Sequence, residues 1–158
     1  MKSKQIYLGG ELTSSNEIIS IINPFDNGVI GQTFLASKDQ LNSSISKAES
    51  CFSKTKKLLP FEKEQILDQI IQGIFSRKDQ FIQTIILESG KPRVYASAEV
   101  DRALQCLKIA KEECKRISGE IIDLSWTNIG TPKKGVIDYF PLGVVAGITP
   151  FNFPLNLV

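Results

Sequence analysis

A chain of 158 residues, 42% hydrophobic and 23% charged, is long enough for one domain with a core and ordinary in composition for a globular protein. Its formal net charge of +2, from 19 basic and 17 acidic residues, gives no electrostatic case for a nucleic-acid or polyanion partner. With no histidine, a Ser-His or Cys-His catalytic pair and an imidazole-based zinc site are excluded within these residues.

The N-terminal MKSKQIYLGGEL lacks the apolar segment of a secretory signal, and the longest clean apolar run, Val144–Ile148, is far below a membrane span. A cytoplasmic protein without a membrane partner is expected. The three cysteines, Cys51, Cys106 and Cys114, are odd in number and lack metal spacing, so no metal site is expected. They read as reduced thiols packed as small hydrophobes.

Gln5–Leu8 and Glu11-Leu12 flank Gly9-Gly10 as a short hairpin. Glu17–Ile22 is a second strand closed by Asn23-Pro24. Val29–Leu35 is a third, after the Asp26-Asn27-Gly28 turn. The opening therefore reads as a β-meander. Ser37, with Gln40 three residues on, makes a capping box for a helix whose apolar face is Leu41, Ile45, Ala48 and Phe52. Pro60 opens a second helix with the face Leu67, Ile70, Ile71, Ile74 and Phe75. Ser76–Asp79 interrupts it, with Asp79 a candidate new N-cap, and the pattern resumes at Phe81, Ile82, Ile85 and Ile86. Gly90 ends that helix and Pro92 blocks its continuation, so a helix stop accounts for Glu88-Ser89-Gly90-Lys91-Pro92. A third helix, from about Arg93 to Ile117, buries Val100, Ala103, Leu104, Leu107 and Ala110. Lys108, Lys111, Glu112, Glu113 and Lys115 mostly face solvent. Strands return at Glu120–Leu124 and Lys134–Phe140, with Lys133-Lys134 as a solvated edge.

The last stretch changes character. Gly143–Ile148 is a run of small and β-branched residues cut off by Pro150, which reads as a strand buried on both faces. Thr149 and Asn152 stand just past its end, where open α/β sheets hold their ligands. Leu155–Val158 looks like a first helical turn after Pro154. The crossover helix and second strand that such a strand requires do not follow in these residues. The order of elements predicts an α/β fold.

The segment Pro141–Pro154, PLGVVAGITPFNFP, resembles the strand and turn that begin the nucleotide-binding domain of the aldehyde dehydrogenase superfamily. Ile22-Asn23-Pro24 with Gly28 and Ile30-Gly31 is similar to that family's N-terminal meander. Glu88-Ser89-Gly90-Lys91-Pro92, with Ala98-Glu99-Val100 and Arg102, is similar to its helix-to-helix junction. The resemblance runs from about Tyr7 to Val158. It implies an N-terminal part of the family fold: meander, three long helices, oligomerisation strands and the first strand of a Rossmann-like sheet. Residues 1–158 would be an incomplete nucleotide-binding domain, with 120–140 supplying the oligomerisation strands.

The resemblance also implies chemistry. A cysteine thiolate adds to an aldehyde, hydride passes to NAD or NADP, and a glutamate-activated water hydrolyses the thioester. Asn152 would donate its side-chain amide to the oxyanion, and Ile148, Thr149, Pro150, Phe151 and Asn152 would line the cofactor site. On local grounds alone, the turn between prolines is the favoured reading of Asn152. Phe151, where many relatives carry Trp, is similar to groups acting on short hydroxyaldehydes or semialdehydes, lactaldehyde first among them. A homodimer or homotetramer is implied for the parent enzyme. The family's nucleophilic cysteine, general-base glutamate and glycine-rich cofactor helix have no match here, and the catalytic domain is missing. The chain alone is therefore expected to be inactive, an expectation shared by the alternative of a non-catalytic interaction module that pairs with a complementary subunit.

Overall fold

A computed structural model describes residues 3–157. Two short hairpins come first. Strands β1 (Ile6–Leu8) and β2 (Glu11–Thr13) pair antiparallel, Ile6 opposite Thr13. Gly9 and Gly10 both adopt positive φ, 57° and 93°, as a two-residue hairpin turn requires. Strands β3 (Ile18–Ile22) and β4 (Val29–Phe34) form the second hairpin, with a register shift between Ile21 and Ile22. Its turn is closed from within: Asn23 Oδ1 accepts the Phe25 amide, Asp26 Oδ1 accepts the Gly28 amide, and Asn27 takes φ 59°. The expected meander is thus two separate hairpins, with an isolated parallel bridge from Lys4 to Thr33 just before β1. Strands of three residues each are too short to carry the first hairpin into a common sheet.

Helix α1 (Lys38–Thr55) begins with the predicted capping box: Ser37 Oγ accepts the Gln40 amide at 3.2 Å, and Gln40 Oε1 accepts the Ser37 amide at 3.0 Å. Its apolar face is only partly covered, with Ala48 and Phe52 half-buried. Leu41 is 53% exposed and Ile45 45%, and α1 buries no residue. The predicted second helix is two. Helix α2 (Pro60–Ser76) and α3 (Lys78–Ser89) meet at Arg77, whose φ −114° and ψ 21° leave the helical range. Asp79 is not the new cap. It lies inside α3 and pairs with Arg93 at 3.0 Å. Gly90 closes α3 in the left-handed conformation at φ 68°, and a Cβ there would stand 3.1 Å from Pro24 Cγ. That contact ties the helix stop to the turn after β3.

Helix α4 (Arg93–Glu113) packs on both α2 and α3. Lys111 reaches Asp68 at 2.8 Å and Lys115 reaches Glu64 at 2.6 Å, so α2 and α4 run antiparallel; Lys111 is half-buried by this contact, whereas Lys115 stays exposed as expected. The Asp68 carboxylate, by hydrogen bond and charge, raises the Lys111 pKa above its ordinary value. The core comes from these three helices: Ile71 and Ile74 of α2, Ile82 and Ile85 of α3, and Ala96, Val100, Ala103 and Leu104 of α4. Predicted stripe positions Ile70 and Phe75 remain 44% and 65% exposed.

Strands β5 (Glu120–Asp123) and β6 (Lys134–Ile137) form a third antiparallel hairpin, Ile121 opposite Val136. At its base the Asp123 carboxylate accepts the Ser125 hydroxyl at 2.6 Å and the Ser125 amide at 2.9 Å. These bonds favour the charged form and hold the Asp123 pKa below the usual aspartate value. The stabilising contribution is present above the ordinary pKa of about 3.9 and is lost as pH falls through the lowered native value. Ser125→Ala is expected to move the Asp123 titration midpoint, read by carbonyl NMR, upward toward the ordinary value. A midpoint left unmoved would count against the bonds as its cause.

Candidate functional site: the Phe151–Pro154 box

Residues 141–150 form neither helix nor strand, so the predicted strand over Gly143–Ile148 is not present among the described residues. A buried strand needs neighbours for its amides and carbonyls on both sides. Among the described residues, none of the three two-stranded hairpins is paired with this run. Its side chains are correspondingly bare: Val145 is 71% exposed and Ile148 99%. The composition calls for cover on both faces that residues 3–157 do not supply.

Immediately after this run the chain is held firmly. Phe153 to Leu157 closes one turn, Leu157 N–H to Phe153 carbonyl at 3.3 Å. The predicted helical turn at 155–158 is therefore in place through Leu157, and Val158 lies outside the described residues. The anchor is Glu99, at 2% exposure the buried charged residue of the core. Glu99 sits on α4 among Ala96, Val100 and Ala103, on the face turned toward α2 and α3. Its Oε1 accepts the Leu155 amide at 3.1 Å. Its Oε2 is paired with Lys91 Nζ, and the same ammonium donates to the backbone carbonyl of Asn152. The Lys91 ammonium also lies 4.4 Å from the centre of the Phe153 ring, with the Arg102 guanidinium 6.0 Å from that ring. A carboxylate with no exposed side-chain surface is tolerable here because both oxygens are satisfied.

The sequence reading singled out Ile148, Thr149, Pro150, Phe151 and Asn152, and all five are exposed. Phe151 is 92% exposed and, with Ile148, leaves an open apolar face. These residues could supply one wall for a flat ring such as a nicotinamide; they do not enclose one by themselves. Asn152 is held by its backbone while its residue surface stays open, which leaves the side-chain amide free to donate.

Lys91, Glu99, Arg102 and Phe153 were not assigned a role from the sequence. Gly90 acts as the helix stop expected of the Glu88–Pro92 segment, but Lys91 does more. The available signal was Glu99: a carboxylate at a core position of an apolar stripe requires a partner. The cysteines correct the reading of buried thiols. Cys51 and Cys106 are exposed and Cys114 half-buried. Cys106 Sγ is 3.5 Å from Asn156 Oδ1, next to the box, and Cys114 Sγ bonds back to the Ala110 carbonyl of its own helix. No helix among the described residues is long and apolar enough to cross a membrane.

Comparison with known proteins agrees with the sequence motifs. The profile of the aldehyde dehydrogenase family matches residues 12–158. A 3-sulfolactaldehyde dehydrogenase of Priestia megaterium is 30% identical over 158 residues, covering 100% of this chain and 33% of the relative. A lactaldehyde dehydrogenase of Methanococcus maripaludis is 37% identical over 142 residues, 90% of this chain and 29% of the relative. The crystal structure of an NADP-dependent glyceraldehyde-3-phosphate dehydrogenase from Bacillus halodurans, complexed with NADP, superposes with a TM-score of 0.92 at 28% identity, over 99% of this chain and 34% of that one. The chain thus spans about a third of the length of the relatives it matches. By its sequence profile, and by a fold shared along nearly its whole length, the chain belongs to the aldehyde dehydrogenase family.

Proposed function

We propose that this chain forms part of the nucleotide-binding domain of an enzyme that oxidises a short hydroxyaldehyde or semialdehyde to its acid with NAD or NADP. The observation that carries the reading is Asn152: it stands exposed at the end of an uncovered apolar run, with its backbone carbonyl tied to Lys91. When a thiolate adds to an aldehyde carbon, the carbonyl oxygen gains a negative charge. A neutral amide already in place lowers the energy of that oxyanion without reorganising. The nucleophile would come from outside the described residues, since Cys51 and Cys106 lie on helices and Cys114 just after one, without a matching motif. The dinucleotide would supply the hydride acceptor, with Ile148, Thr149, Pro150 and Phe151 forming a wall of its site.

The relatives named lactaldehyde and 3-sulfolactaldehyde dehydrogenases support a short 2-hydroxyaldehyde as the substrate class. Residues 120–140 are assigned to oligomerisation. Ile121 and Val136 of the β5–β6 hairpin are 73% and 74% exposed, and Trp126 in its loop 82%, an apolar surface suited to a partner subunit. The enzyme composed of this chain and the family's cysteine-bearing remainder is expected to produce reduced nicotinamide from lactaldehyde, and this chain by itself to produce none. Absence of reduced nicotinamide from the complete enzyme with any short aldehyde overturns the reading.

A further inference from the structure

Between Asn152 and Leu155 the box is held at three points by residues far away in sequence. Lys91 holds the Asn152 carbonyl, the Lys91 and Arg102 cations flank the Phe153 ring, and Glu99 holds the Leu155 amide. Two of these holders, Lys91 and Glu99, are bonded to each other. Glu99 in turn sits on the most deeply buried part of α4, beside Val100 at 0% exposure. The bracket therefore joins the box to the rigid helical core rather than to another loop.

We infer that Lys91 and Glu99 are positioning residues that set the aim of the Asn152 side-chain amide, an inference resting on the oxyanion reading of Asn152. Fixing the Asn152 carbonyl fixes the plane of the peptide that follows it. Fixing the Leu155 amide fixes the far end of the same short segment. With both ends set, the Asn152 Cα–Cβ direction is set as well, although the residue itself lies in solvent and in no regular element. Oxyanion donors act through placement made before the reaction, and supporting residues supply it. The ion pair suits this task better than an apolar contact, because one ammonium can serve a carboxylate, a carbonyl and a ring face together.

The decisive variant is Lys91→Met with Glu99→Gln. It removes both buried charges together, so neither is left unpaired, and the glutamine oxygen can still accept from Leu155. In the complete enzyme, this pair is expected to lower kcat about ten- to hundredfold with KM little changed, because only donor placement is lost. Lys91→Arg, which keeps a cation able to donate to the carbonyl, is expected to recover part of that loss. Wild-type kcat in the double variant, with folding confirmed by circular dichroism, overturns the inference. A separate readout uses the complete enzyme without substrate. Glu99→Ala is expected to speed hydrogen exchange of the Leu155 amide about tenfold or more by removing a charged acceptor, and an unchanged rate also overturns the inference. That measurement involves no chemistry. If Asn152 were not the oxyanion donor, turnover would be insensitive to Asn152→Ala while the exchange effect of Glu99→Ala persisted, so the two failures are distinguishable.

Discussion

Ile82→Ala is expected to lower the unfolding free energy by about 2–5 kcal/mol, the cost of removed transfer energy plus the cavity left behind. Ile82 is 3% exposed and shares one buried cluster with Ile71, Ile74, Ile85, Ala96, Val100 and Leu104. That cluster unites α2, α3 and α4, and α1 contributes nothing buried to it. Domain stabilities are typically about 5–15 kcal/mol, so one such loss is a large fraction of the total. Leu41→Ala deletes the same number of carbons from α1, where Leu41 is 53% exposed. Its expected effect is within about 0.5 kcal/mol. Urea unfolding of the two variants side by side checks the contrast, provided the slope of each transition matches the wild type. Equal costs at the two positions would mean that α1 is packed in solution and that the core is larger than the three-helix cluster.

The same two residues show what the sequence could and could not reveal. Spacing identifies which face of a helix is apolar, and it did so for both Leu41 and Ile82. It does not say whether anything lies against that face. In α2 to α4 the partners are one another, at most a few dozen residues apart in the chain, and the predicted stripe supplies most of the core, with Ile70, Phe75 and Ala110 left exposed. In α1 and in Gly143–Ile148 the apolar pattern is just as clean, yet Ile45 is 45% and Ile148 99% exposed. Local signals fared better where the cause itself is local: the Ser37–Gln40 capping box, the Gly9-Gly10 turn and the left-handed Gly90 all stand as read. The candidate site divides in the same way. Pro150, Phe151 and Asn152 were visible as a motif, whereas the bracket that holds them was not, because Lys91 and Asn152 are 61 positions apart. A hydrogen bond from a lysine to a distant backbone carbonyl leaves no periodicity. Only the carboxylate of Glu99, placed where a hydrophobe belongs, pointed to it.

Asn152→Ala, made in the complete enzyme, is expected to lower kcat about a hundredfold or more, the usual effect of deleting one oxyanion donor. Both kcat and kcat/KM should fall together, since the lost bond forms only as the oxyanion develops. Stability should change by less than about 0.5 kcal/mol, because Asn152 is exposed and its structural bond is made by the backbone carbonyl, which alanine retains. Asn152→Asp makes the sharper comparison. It preserves size and shape but places a negative charge beside the position where negative charge develops, so its turnover should be no higher than that of the alanine variant. An asparagine serving only the turn between Pro150 and Pro154 would give the opposite ranking. Aspartate is itself a favoured turn residue, and the Asp variant would then keep wild-type activity while alanine lost stability rather than rate. The order of the two variants, measured together with their melting temperatures, therefore separates a donor from a turn former even if the absolute loss of turnover is smaller than expected.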